Sequence, residues 1–148
     1  MWRLAKPEDD AAIVEMCTGL YREDPGQFTV HPENIRATLR ALRSEPCRGR
    51  AVVLEIENQP AGYALLIAFW SNELGGHICE VDELFVVPGH RSHGHGKLLF
   101  ETISHGGLWP TPIAAIVLGV TPGNTRARRL YERLGFRVAG ISMVRRLP

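Results

Sequence analysis

From Glu83 to Lys97 the chain reads Glu-Leu-Phe-Val-Val-Pro-Gly-His-Arg-Ser-His-Gly-His-Gly-Lys, an apolar run closed by Pro88 and followed by Gly89, Gly94 and Gly96. A strand feeding a glycine-rich turn and then a helix start near Lys97 suits a phosphate or pyrophosphate. Glycine lets backbone N–H groups crowd together, and a helix N-terminus offers unpaired donors at its positive dipole end. Arg91 and Lys97 add positive charge. The same glycines could equally be plain turn residues. The run is not a Walker loop, because Leu98 follows Lys97 where Ser or Thr is needed. Nor is it a dinucleotide fingerprint, because Gly94-His95-Gly96 lacks the third glycine.

Acid–base chemistry has candidates just upstream. Glu80, Asp82 and Glu83 interrupt an otherwise apolar strand, where a carboxylate is costly unless partnered or used. Simple alternation places Glu80 and Asp82 on one face with Leu84, and Glu83 on the other with Val81, Phe85 and Val87. A salt bridge or an exposed strand end would account for each acid equally well. His90, His93 and His95 cluster in the loop, yet zinc would need fixed geometry and a fourth ligand, and no metal is expected. Cys17, Cys47 and Cys79 are odd in number and lack a CxxC spacing, so neither a disulfide framework nor a zinc site is signalled.

The elements that would position these residues fit a single domain over residues 1–148. Hydrophobic residues make up 45% of the 148, charged residues 22%, and the net charge is +1, a soluble globular profile with no field for nucleic acid or an anionic membrane. No leader or membrane span is evident, which points to the cytoplasm. Trp2 to Leu4 reads as a first strand. Helices follow from an Asp9 or Asp10 cap to about Tyr21, and from His31-Pro32 to about Arg43. Ala51–Ile56 and Gly62–Trp70 read as strands joined at Asn58-Gln59-Pro60, and Ile78–Val87 as a third antiparallel strand. A helix from Lys97 to Ser104 stops at His105-Gly106-Gly107, and Trp109-Pro110-Thr111-Pro112 makes a rigid connector. Ile113–Val120 then fits a parallel strand, Asn124 caps a helix to Leu134, and Phe136 to Arg146 would close the sheet. The fold class is α/β: a mixed, mostly antiparallel sheet with flanking helices.

Arg91-Ser92-His93-Gly94-His95-Gly96 resembles the R/Q-x-x-G-x-G/A signature of the GCN5-related N-acetyltransferases, and Val86-Val87-Pro88 the strand end that precedes it. Asn124 and Tyr131-Glu132-Arg133-Leu134-Gly135-Phe136 resemble that family's downstream Asn and Y-E-x-x-G-F ending, and the element order agrees across nearly the whole chain. The resemblance implies acetyl-CoA as cosubstrate, with Arg91, Ser92, His93, Gly94, His95, Gly96 and Lys97 around the pyrophosphate. Phe85 and Val87 would pair with the pantetheine arm, and Asn124 would bind it from the other side. Ser92 departs from the commoner glycine, which matters only if that residue needs a positive φ.

By the same resemblance Tyr131 is the general acid in attack of an amine on the thioester; otherwise it is an ordinary half-buried aromatic. Glu83 is the first choice of base and Asp82 the rival, either one directly or through water. Asp82 and Trp70 are placed in the acceptor pocket. Arg126, Arg128, Arg129 and Arg133 either reach toward the CoA 3′-phosphate or form a solvated face. The expected activity is N-acetylation of a small-molecule or peptide amine in a ternary complex. The alternative is a CoA-binding regulatory module without turnover. The oligomeric state, a homodimer included, stays open.

Overall fold

The computed structural model describes residues 1–109 and 112–147, so Pro110 and Thr111 of the expected connector lie outside the described residues. In chain order the elements are β1 (Trp2–Leu4), α1 (Asp10–Glu23), α2 (Pro32–Ser44), β2 (Gly49–Ile56), β3 (Gln59–Ser71), β4 (Gly76–Val86), α3 (His95–Ser104), β5 (Ala115–Leu118) and α4 (Thr125–Arg133). The strands form one sheet in the order β1-β2-β3-β4-β5, antiparallel throughout except for the parallel β4–β5 pair.

Each face of the sheet buries its own cluster. Val52, Leu54, Leu66, Cys79 and Val81 pack with Leu99, Phe100 and Ile103 of α3. On the opposite face Val53, Tyr63, Leu65 and Phe85 meet Ile13 and Cys17 of α1 and Ile35, Leu39 and Leu42 of α2. The α2 residues recur at helical spacing, and Pro32 at the first turn supplies a preset φ with no N–H to waste.

Three local differences from the sequence reading have physical causes. The β2–β3 turn is made by Glu57 and Asn58, both at positive φ, a two-residue turn whose twist matches the strands, so Gln59 and Pro60 belong to β3. Asp9 does not cap α1 with its side chain; it is buried and accepts from Arg3 at 2.7 and 2.9 Å and from the Lys6 amide at 2.7 Å. Residues 136–147 form no strand. Val138, Ile141, Met143 and Val144 are exposed, their spacing is not alternate, and Gly140 interrupts them.

The feature that shapes the site is a bulge in β4. Leu65 pairs with Glu83 but Leu66 pairs with Val81, leaving Asp82 as the extra residue. One inserted residue reverses the facing of everything before it relative to everything after. Val81 therefore packs against α3 while Phe85 packs against α1 and α2, which overturns the simple alternation that grouped Val81 with Glu83. The parallel β4–β5 pairing runs from Ile78–Ala115 to Val81–Leu118 and ends where the bulge begins.

Candidate active site

Beyond the bulge, β4 continues to the Pro88–His90 turn and the loop that starts α3. Gly94 is the N-cap of α3 at φ 82°, with no side-chain cap, and the first intrahelical bond runs from Leu98 N–H to Gly94 C=O at 2.9 Å. The amides of His95, Gly96 and Lys97 thus precede the helical ladder and are left as donors. A Cβ added at Gly94 would meet nothing within 4 Å, so open space lies above the turn; one at Gly96 would come within 3.1 Å of Leu130 on α4. Gly94 is a glycine of conformation, and Gly96 one of helix packing. Backbone amides at a helix N-terminus are the kind of donors an anion takes.

Ser92 does adopt positive φ, at 67°. The conformation costs a non-glycine residue roughly 1–2 kcal/mol, and its hydroxyl accepts a hydrogen bond from Arg126 at 3.2 Å. Arg91 is engaged within the protein: Nε donates to the Val86 carbonyl at 2.6 Å, Nη2 pairs with Glu23 at 2.8 Å, and the guanidinium lies 5.0 Å from the centre of the Phe85 ring. Lys97 is exposed and pairs with Glu101 at 3.4 Å. His93 is exposed, and the His95 carbonyl accepts from the Trp2 indole at 2.8 Å. Burial, then the neighbouring His93, lowers the His95 pKa. Among the described residues no group of three His, Cys, Asp or Glu side chains could hold a metal ion.

The backbone row open to an extended ligand is not the expected one. Val87 N–H donates to the Ala61 carbonyl at 3.0 Å, so Val87, and Phe85 two residues earlier, turn their backbone groups toward β3. The outward row is that of Leu84 and Val86, in which the Val86 carbonyl already accepts from Arg91 Nε.

Glu83 sits in a nest of donors. Tyr63 Oη donates at 2.7 Å, Tyr21 Oη at 2.9 Å, and the Cys17 thiol lies at 3.5 Å. Burial, followed by the Glu83 charge, pushes both tyrosine pKa values far up, and burial pushes the Cys17 thiol to about 12. These three hydroxyl and thiol groups act as donors across the physiological range. Asp82 keeps accessible surface, and the protein around its carboxyl desolvates it and raises its pKa. The two carboxylates, adjacent in sequence, face different surroundings: Glu83 lies among the donors of α1 and β3, and Asp82 keeps exposed surface.

Asn124 caps α4, its Oδ1 accepting from Ala127 N–H at 3.1 Å, while its Nδ2 donates to Asp24 at 2.8 Å. Tyr131, two turns on, packs edge-on against Phe100 and Phe136, with ring centres 5.9 Å away in both cases. Burial raises its pKa, and the Asp24 charge adds to that. Trp70 is not brought to this region: it pairs with His77 near the start of β4, five residues along β3 from the partner of Glu83, about 17 Å at strand rise. Sequence reading missed Asp24, Tyr21 and Tyr63; only the aromatic character of the tyrosines hinted at burial.

The chain belongs to the acetyltransferase (GNAT) family, whose pattern it matches over residues 14–136. Its fold is shared with a possible acetyltransferase from Clostridium difficile 630, at 20% identity and a TM-score of 0.82, covering 100% of this chain and 97% of that chain. A ribosomal-protein-alanine N-acetyltransferase from Brucella melitensis biovar Abortus 2308 follows at 17% identity and a TM-score of 0.74, covering 99% of each chain. A transcriptional regulator from Bacillus halodurans C-125 is also similar, at 17% identity and a TM-score of 0.77, again over 99% of each. At these identities the likeness is one of fold. A comparison with curated proteins returns no match. Among the described residues no helix is long and apolar enough to cross a membrane.

Proposed function

We propose that the protein transfers an acetyl group from acetyl-CoA to a primary amine of a small molecule or peptide, by direct attack in a ternary complex. The observation that carries this reading is the parting of β4 from β5 at Asp82, on a strand that runs on to a glycine loop and a helix N-terminus with unbonded amides. The backbone of Leu84 and Val86 then holds the pantetheine arm, and the amides from Ser92 to Lys97 hold the pyrophosphate. Arg91 shapes that loop through Glu23 and Val86 more than it contacts phosphate, and Lys97 supplies the mobile positive charge.

Acetyl-CoA brings a thioester carbonyl open to a neutral amine. Glu83 takes the amine proton through a water, because two of its acceptor positions are already used by Tyr21 and Tyr63. Asp82, accessible and desolvated, holds the acceptor while it is still cationic. Tyr131 gives its proton to the departing thiolate. Tyr21 and Tyr63 spend their hydroxyls on Glu83, whereas the Tyr131 hydroxyl has no hydrogen-bond partner among the described residues.

A CoA-binding module without turnover would share the cradle but would have no use for Tyr131 as an acid. Thermal denaturation with acetyl-CoA, CoA and zinc tests the site. Both CoA species should raise the midpoint, by an amount that grows with ligand concentration, and zinc should not. No response to millimolar CoA would remove both readings.

A further inference from the structure

The last residue of the first helix and the residue that follows it each tie down a different loop. Glu23 ends α1, and its carboxylate holds Arg91 at 2.8 Å in the loop after β4. Asp24 follows at φ −135°, outside the helix, although its amide still donates to Leu20 C=O at 2.8 Å. Pro25 and Gly26 then turn the chain away. The Asp24 carboxylate accepts from Thr121 Oγ1 at 2.7 Å on one oxygen and from Asn124 Nδ2 at 2.8 Å on the other, both in the loop after β5. The second of these loops leaves β5 at its last pair with β4, and the first follows β4 after that strand has run on alone to Val86.

We propose that Glu23 and Asp24 form a strap that sets the spacing of these two loops, with Asp24 a positioning residue for Asn124. The inference rests on the acetyl-CoA reading of the cleft. A carboxylate only accepts, so Asp24 obliges Asn124 to present Nδ2 toward it and Oδ1 toward the helix, where Ala127 N–H is waiting. One Nδ2 hydrogen remains, and its direction is fixed by the other two bonds. Without Asp24 the amide is held at one end only, and the loop after β5 loses its tie to α1. Glu23 does the same for the other loop through Arg91, more weakly because that pair is open to solvent.

Calorimetric titration of the full chain with acetyl-CoA tests this. Asp24→Ala should weaken acetyl-CoA binding by roughly tenfold or more, the scale of a lost hydrogen bond to a charged group. Because Asp24 acts through the loop, its effect should shrink when the partner is already gone. In an Asn124→Ala background the added loss from Asp24→Ala should fall to about twofold. Thr121→Val, which removes a hydroxyl and leaves the helix cap intact, gives a second background if Asn124→Ala does not fold; there too the added loss should be smaller than in the parent. Glu23→Gln should weaken binding less than Asp24→Ala. Unchanged affinity in Asp24→Ala overturns the strap, and so do fully additive losses. Failure of the parent protein to bind acetyl-CoA would instead overturn the function on which the strap rests.

Discussion

Tyr63 on β3 donates its hydroxyl to Glu83 on β4 at 2.7 Å, across a ladder in which its own register partner is Phe85. The bond exists because the Asp82 bulge turns Glu83 onto the α1 side, where Tyr21 and Cys17 also reach it. A carboxylate among apolar side chains is thereby satisfied without a cationic partner. Glu83→Gln preserves size and removes the proton acceptor. Turnover should fall on the order of a hundredfold or more, with acetyl-CoA affinity nearly unchanged by calorimetry. Tyr63→Phe leaves the carboxylate short of a donor and should lower stability by about 1–3 kcal/mol in denaturant titration.

Asp82 and Asp9 should respond to pH in opposite senses. Burial disfavours the charged form of Asp82 and raises its pKa, so its ionisation opposes folding. Asp82→Asn should be more stable than the parent at neutral pH. The difference should vanish in acid as Asp82 takes up its proton, and thermal midpoints across pH would show it.

Asp9 is held below the usual carboxylate range by its hydrogen bonds from Arg3, against the opposing effect of burial. A depressed pKa gives stability that is full above the ordinary carboxylate value and is lost as pH falls through the lowered one. Asp9→Ala should cost about 1–3 kcal/mol at neutral pH through the hydrogen bonds lost from Arg3 and Lys6, Arg3 keeping its pair with Glu55, and less in strong acid. Urea unfolding at the two pH values measures both.

Ser92 and Gly94 separate strain from ligand contact. Both lie at positive φ, and a Cβ at Gly94 would stand in open space. Ser92→Gly removes strain along with a weak, exposed bond to Arg126, so it should raise stability by up to about 1 kcal/mol and leave acetyl-CoA affinity intact. Gly94→Ala should lose stability by a similar amount and also weaken acetyl-CoA, because its methyl group occupies the space above the amides. Melting curves with and without ligand distinguish the two effects.

Much of the frame was legible because local signals agree. The strand–glycine–helix sequence after Glu83, the apolar stripe of α2 and the Asn124 cap each depend on neighbours within a few residues. The bulge was not legible: one extra residue within a strand looks like any other until its partner is known. Asp24 was hidden for a related reason, since its partners lie 97 and 100 residues away. The tail after Phe136 carries strand-forming residues but no consistent alternation, and composition alone suggested a strand that the structure lacks. Trp70 was placed in the pocket on residue type, with no register to show that it lies at the other end of β3.

The most direct test of acetyl transfer is release of free CoA thiol from acetyl-CoA over a panel of polyamines, aminoglycosides, amino acids and peptides, with parent protein and Tyr131→Phe side by side. Acetyl transfer with Tyr131 as the acid predicts acceptor-dependent thiol release by the parent, and in Tyr131→Phe a fall on the order of a hundredfold with acetyl-CoA affinity retained. Tight acetyl-CoA binding with no thiol release on any amine, or equal turnover by Tyr131→Phe, would contradict it.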